Sequence, residues 1–333
     1  MLQNDFFSWT SEQQIESLTT FAKKALELYG LTDAEIECIN YEFNATFSVS
    51  TNSGEKYALR ININSTRTSE NILGEIEWVQ FLQRVPEVNV PTPIANLENS
   101  FLTTIKHQDN GRYLNCVLYS WLDGVEVGDE PSIEQLHNIG RAIASMHKAS
   151  SEFTLSSKSQ LPLFKDLLWG TEDFLFGPKS VLSESHSKLL NRAAELVIKF
   201  TNELYEKSTS QIIHADIHGW NLISNDGWIY IFDFDDCGFG LAAQDIAVAL
   251  YYLDTPEQNA ALLAGYTSVI PLPEYSEPAM KALLLQRRLM LLNYLFETSN
   301  QEHKEMLPEY LSKTIERVSG FLTDVRGYPH EQQ

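Results

Sequence analysis

The sequence predicts an α+β fold in two parts, a small sheet-rich part over residues 1–121 and a larger, mainly helical part over residues 122–333. Three observations predict it. Between Glu37 and Trp121 the apolar residues alternate with a period of two, in short runs bounded by Asn, Ser, Gly and Pro. From Ser132 onward the apolar residues recur mostly near every 3.6 positions. Inside that helical part the stretch 211–247 breaks the pattern, and its two short apolar runs each deliver polar side chains among Asn, Asp and Gly turn residues.

The elements follow in order. Residues 11–29 read as an amphipathic helix with Ile15, Leu18, Ala22, Ala25 and Tyr29 on one face, a capping box of Ser11 with Gln14, and Gly30 as its stop. Residues 37–41, 45–51 and 56–63 read as strands, the last two joined through Asn52, Ser53 and Gly54. Residues 69–84 read as a helix whose apolar arc, Ile72, Ile76, Val79 and Leu82, contains Glu75 and leaves Glu77 to solvent. After the helix-excluding Val90-Pro91-Thr92-Pro93, residues 100–105 and 113–121 read as a strand pair. Helices follow over 132–148, 183–206, 245–253, 257–266 and 277–296, with a loop rich in aromatic and acidic residues over 161–182.

The stretch 211–247 carries the chemistry. Ile212 and Ile213 lead into His214, Asp216 and Asn221, and the run from Trp228 to Phe232 leads into Asp233. The letters fit H-x-D-x-x-x-x-N followed by D-F-x, a spacing suited to phosphoryl transfer, where the protein mainly positions reactants and neutralises charge. Such chemistry needs one carboxylate to take a hydroxyl proton, here Asp216, and hard oxygen ligands for Mg²⁺, here Asn221 and Asp233. His214 is placed to hold the loop by hydrogen bonds. A metal site built from His214, Asp216 and His218 is the weaker reading, because no Cys or further His stands at ligand spacing.

With HADIHGWN, FDFDDCGFG and QDIA on the page, the sequence resembles the phosphotransferase family of aminoglycoside phosphotransferases, choline kinases and homoserine-type kinases, strongly in this stretch and more weakly over nearly the whole chain. The resemblance implies a bilobal protein-kinase-like fold, ATP with Mg²⁺ as donor, and a hydroxyl acceptor. It also implies roles. In Tyr57-Ala58-Leu59-Arg60 the period of two puts Ala58 and Arg60 on one face, as in V-A-I-K, so Arg60 is the candidate phosphate ligand, an Arg where protein kinases carry Lys. A solvent-facing strand arginine is the alternative. Glu75 is the acid that would hold Arg60, since an acid inside a packed face needs a partner. The phosphate-covering loop would be 41–46, without glycine, offering the amides of Asn44, Ala45 and Thr46, or else an ordinary hairpin turn. The hinge would follow Trp121, with the backbone of Ser120 and Leu122 toward adenine. Asp235 is assigned to a second Mg²⁺ or an acceptor ammonium, provided the strand continues through Asp233. Asp245 is read as the N-cap of the next helix and, by resemblance, a brace for the catalytic loop. Trp169, Asp173, Tyr251 and Tyr252 are candidates to stack on a cationic acceptor, or else core filler.

The formal net charge of −21 over 333 residues argues against nucleic acid or anionic membrane partners and fits a cationic small-molecule acceptor, or solubility alone. Cys38, Cys116 and Cys237 are scattered without metal spacing, as in a reducing compartment, and no run of about eighteen apolar residues suggests a membrane span, so a cytoplasmic enzyme is expected. The expected activity is transfer of the γ-phosphate of ATP to a hydroxyl of a small, amine-bearing metabolite or aminoglycoside. Two readings compete with it, a Ser/Thr protein kinase of the bacterial stress-response type and a nucleotide-binding scaffold without catalysis.

Overall fold

The computed structural model describes residues 6–298 and 300–325; the outermost ends of both predicted lobes lie outside the described residues. Among the described residues the elements are, in chain order, α1 (Ser11–Glu27), β1 (Glu35–Tyr41), β2 (Asn44–Ser50), β3 (Lys56–Asn62), α2 (Ser69–Leu82), β4 (Pro93–Ile94), β5 (Thr103–Lys106), β6 (Tyr113–Ser120) and β7 (Val125–Glu126). There follow α3 (Ile133–Ser150), α4 (Glu184–Lys207), β8 (Gln211–Ile213), β9 (Leu222–Asn225), β10 (Trp228–Ile231), β11 (Gly238–Gly240), α5 (Ala242–Tyr251), α6 (Pro256–Thr267), α7 (Glu277–Glu297) and α8 (Gln301–Asp324). The chain forms two compact units: Met1–Glu126 with Phe153–Leu161 and Ile223–Asp235, and Val127–Glu152 with Pro162–Leu222 and Asp236–Gln333.

The first unit is built on an antiparallel sheet of order β1-β2-β3-β6-β4, with β5 also on β6. Its register sets Thr46 opposite Arg60 and Arg60 opposite Val117. Burial alternates along β2, so one sheet face is apolar: Ala45, Phe47 and Val49 join Leu59, Ile61 and Leu118 against Leu18, Phe21, Ala22 and Leu26 of α1. Each large side chain buried there contributes roughly 1.5–3 kcal/mol. The helix α1 begins one residue earlier in its cap than the sequence suggests. Thr10, with extended backbone, accepts from the Gln13 amide and forms the capping box with it, while Gln14 donates instead to the Trp9 carbonyl at 2.9 Å. Gly30, at φ +74°, takes the left-handed turn that lets Leu31 close back on Leu26. Glu77 is not left to solvent either: it accepts from the Ser156 amide at 2.9 Å and the Ser159 hydroxyl at 2.6 Å, tying the 153–161 segment to α2.

The second unit is helical. In it α3 packs closely against α6, where glycines let backbones touch: a Cβ at Gly140 would lie 2.0 Å from the Leu262 carbonyl oxygen, and one at Gly265 would lie 1.9 Å from that of His137. A second core joins α4, α7 and α8 through Leu190, Val197, Leu285, Leu289, Val318 and Phe321. The helix α8 was not expected from the sequence. Pro308 stands inside it on the exposed side, and the buried Thr314, Val318, Phe321 and Leu322 hold the rest. No helix among the described residues is long and apolar enough to cross a membrane.

Candidate active site

The loop after β8 is organised by one buried carboxylate. Asp245, with 0% of its surface exposed, stands inside the first turn of α5 rather than at its cap, because the helix already starts at Ala242. That placement aims its side chain at the loop. It accepts the backbone N–H of His214 at 3.1 Å and of Ala215 at 2.8 Å, and pairs with His147 Nε2 at 3.0 Å. Ala215 sits at φ +70°, a left-handed conformation costly for any residue with a Cβ, and the two amides fixed by Asp245 hold it there. Burial works against the charge of Asp245, yet the His147 hydrogen bond and charge bring its carboxyl below the usual carboxylate range.

One residue on, the loop presents Asp216. Its backbone N–H donates to His214 Nδ1 at 3.2 Å, so this His braces the loop from inside. Its side chain accepts from Asn221 Nδ2 at 3.0 Å, and the same Nδ2 donates to the Asp216 carbonyl at 2.9 Å. The Asn221 amide therefore turns its oxygen to the opposite side. His218 Nε2 lies 3.3 Å from Asp216 Oδ2, and Arg287 Nη2 of α7 donates to Oδ1 and, at 2.6 Å, to the Tyr252 hydroxyl. Burial opposes ionisation of Asp216, but the Arg287 guanidinium and His218 beside it hold its carboxyl well below the usual range.

In the first unit Arg60 and Glu75 form a two-pronged pair, Nη1 to Oε1 at 2.8 Å and Nη2 to Oε2 at 2.5 Å, and the Tyr119 hydroxyl donates to Glu75 Oε1 at 2.7 Å. Both partners are buried. Burial disfavours the Arg60 charge, while Glu75 and Asp235 keep it protonated and push it above its ordinary value. Arg60 Nε is buried with no hydrogen-bond partner. The strand β10 ends at Ile231 and Asp233 turns the backbone left-handed at φ +60°, so Asp235 does not continue a strand. Asp235 instead accepts from Asn44 Nδ2 at 3.0 Å, Ser65 Oγ at 3.3 Å and Asn62 Nδ2 at 3.4 Å, with Arg60 Nη2 at 3.7 Å. Asp233 itself is exposed.

Other expected residues lie elsewhere than the sequence suggests. The first hairpin closes tightly over Glu42 and Phe43, and Asn44, Ala45 and Thr46 belong to β2, which is flanked by β1 and β3, so the amides of a central strand stand where a phosphate loop was expected. The Ser120 amide donates to the Thr92 carbonyl at 2.8 Å, which commits that backbone group to the sheet rather than to adenine, and Leu122 follows the end of β6 in irregular backbone. Tyr119, beside Ser120, spends its hydroxyl on Glu75. Asp173 caps its own turn by accepting from Leu175 and Phe176 amides at 2.9 and 2.7 Å. Trp169 stacks on Phe164 at 4.7 Å, with its indole N–H buried and unpartnered. Tyr251 contacts Tyr310 and Arg288. Of these four, Tyr252 is the one drawn to Asp216, through Arg287. Arg287 escaped the sequence reading, although two arginines inside the apolar run of α7 are a signal in their own right: buried cations demand a carboxylate or a ring.

A family model described as the phosphotransferase enzyme family matches residues 41–280, well over half of the chain. The chain belongs to that family. Within curated proteins it is similar to amicoumacin kinase of Bacillus subtilis (strain 168), 31% identical over 202 residues that make up 59% of this chain and 57% of the relative. The match thus spans little more than half of that relative's length. Two solved structures share the fold: a microcompartment-associated aminopropanol kinase (TM-score 0.74, 24% identity, 92% of this chain and 98% of that one) and the amicoumacin kinase hAmiN in complex with AMP-PNP, Ca²⁺ and Ami (0.69, 19%, 92% and 96%). Those likenesses establish a kinase-like fold for this phosphotransferase-family chain, in agreement with the bilobal α+β expectation.

Proposed function

We propose that this phosphotransferase-family protein transfers the γ-phosphate of ATP to a hydroxyl of a small, amine-bearing molecule, with Asp216 as the base. The observation that carries the reading is the loop geometry: a carboxylate presented on a backbone that buried Asp245 pins at two amides, with Asn221 fixed against it. In the reaction the acceptor oxygen attacks the γ-phosphorus, its proton passes to Asp216, the bond from the γ-phosphorus to the β,γ-bridging oxygen breaks, and ADP leaves with that electron pair. His214 and Asp245 position the base.

A divalent cation suits the remaining donors. Asn221 offers an amide oxygen and Asp233 a carboxylate, hard ligands of the kind Mg²⁺ takes when phosphates and water complete its shell. When bound, Mg²⁺ neutralises charge on the transferring phosphate. Arg60, with an unpartnered buried Nε and Glu75 fixing its other nitrogens, is the proposed phosphate ligand. Asp235, bound to Asn44, Asn62 and Ser65, is assigned to orient that region. Small-molecule kinases as relatives support a metabolite or antibiotic acceptor, and the likeness to an aminopropanol kinase supports an amine-bearing one.

The test is ADP release from MgATP with aminoglycosides, amino alcohols, hydroxy amino acids and a generic Ser/Thr protein, run on wild type and Asp216→Asn. One small acceptor stimulating wild type, with loss of roughly 10²–10⁴ in the variant, is the expected result. Label appearing only in protein, or MgATP binding without turnover for any acceptor, overturns it.

A further inference from the structure

The surroundings of Asp216 hold one cation that the reaction just described does not use. Arg287 is buried on α7, 8% exposed, and it spends Nη2 on Asp216 and on the Tyr252 hydroxyl. Its guanidinium lies over the Tyr252 ring, 5.5 Å from the centroid, which fixes the plane. Its Nε is buried with no hydrogen-bond partner. Nε and Nη2 make one edge of the guanidinium, the edge that takes a carboxylate with two parallel bonds. Here that edge is half used, and an unmet buried donor of a charged group is costly. An arginine kept only for packing would have both atoms satisfied, as Arg288 on the next position largely does through Thr314, Tyr251 and the Tyr310 carbonyl.

Geometry decides what meets that edge. Arg287 is one hydrogen bond from the carboxylate that would take the acceptor proton, so whatever carries the reacting hydroxyl brings its neighbouring substituents against the guanidinium. An ammonium there meets like charge, whereas a carboxylate takes the open Nε, replaces Asp216 on Nη2 while Tyr252 keeps its own bond to that nitrogen, and so releases Asp216 to the hydroxyl. We propose that Arg287, oriented by Tyr252, anchors a carboxylate of the acceptor, so that the acceptor is a hydroxylated amino acid rather than an amino alcohol or aminoglycoside. The inference rests on Asp216 being the base and deepens that reading by naming the substrate class. Asp236, which adds to the negative field on Arg287, is exposed on the same unit.

Matched acceptors that differ only by the carboxylate make the test: threonine with 1-amino-2-propanol, homoserine with 3-aminopropan-1-ol, and serine with ethanolamine. Steady-state kinetics on the full chain would compare wild type, Arg287→Gln, Arg287→Lys and Tyr252→Phe, each first checked for a cooperative thermal transition. Wild type is expected to favour one carboxylate-bearing member by roughly 100-fold or more in kcat/KM. Arg287→Gln collapses that preference, chiefly through the acceptor KM and with the ATP KM little changed. Arg287→Lys and Tyr252→Phe each retain part of it, so the prediction survives a Gln variant that fails to fold. Equal or better use of the amino alcohols or of aminoglycosides by wild type removes the carboxylate while leaving the kinase reading intact. An Arg287→Gln variant that raises the ATP KM and keeps the acceptor preference assigns the residue to nucleotide instead. No turnover with any acceptor removes both readings.

Discussion

Replacing Asp245 with Ala tests whether one buried carboxylate sets the catalytic loop. The substitution strips three partners at once: the His214 amide at 3.1 Å, the Ala215 amide at 2.8 Å and His147 Nε2 at 3.0 Å. Each buried donor left unmet costs about 1–3 kcal/mol. Ala215 also loses the clamp on its left-handed backbone, so the loop is free to relax. Taken together the loss of stability is expected near 4 kcal/mol. Asp245→Asn keeps one oxygen for the Ala215 amide but sets an NH₂ toward a donor, so about half that loss is expected. Urea unfolding of the three proteins, followed by tryptophan fluorescence, reads both values. A loss under about 1 kcal/mol for Asp245→Ala would refute the reasoning, because it would mean that the loop amides find water or other partners without cost.

Three further expectations follow from the same geometry. Stability is expected to fall with acid through Asp245: its folded pKa lies below the unfolded value of about 3.9, so its contribution is present above that pH and is lost as pH drops below it. The urea midpoint of wild type should therefore drop more steeply from pH 5 to pH 3 than that of Asp245→Asn, and parallel curves would count against the assignment. Arg60→Met leaves Glu75 buried with only the Tyr119 hydroxyl and should cost about 3–5 kcal/mol, whereas Arg60→Met with Glu75→Leu should cost clearly less than the two singles summed, a coupling of about 0.5–3 kcal/mol by double-mutant cycle. Gly140→Ala sets a Cβ against the Leu262 carbonyl and should destabilise by about 3 kcal/mol in a urea titration, as the α3–α6 backbones must part; a neutral result would show that the helices slide freely.

Much of the fold was legible because its signals are local. Period-two runs with Asn-Ser-Gly punctuation yield β2 and β3 within a residue or two of their observed ends, and 3.6-residue spacing yields α3, α4, α6 and α7. The choice of Glu75 over Glu77 as the buried acid also follows from angular position on one helix, and the structure buries Glu75 against Arg60. Boundaries failed where a cap or a turn competes on equal terms: Thr10 against Ser11 at the start of α1, and the two-residue turn at Glu42 and Phe43 against a longer loop. The helix α8 was hidden because its buried stripe begins only after Pro308 and a charged first turn.

The sequence by itself determined the identity and order of the groups in the loop and hairpin, His214, Asp216, Asn221 and Asp233, since strand ends and Asn, Asp and Gly turns fix where such residues can stand relative to their near neighbours. Only the tertiary structure decided which distant charges meet them. Arg287, 71 positions from Asp216, reaches it because α7 packs its buried face toward the loop, and Asp235 turns to Asn44, Asn62 and Ser65 because Asp233 breaks the strand. Pairings of that kind depend on long-range burial, where a charge stripped of water must find a partner from whatever element lies against it, and spacing along the chain carries no record of that choice.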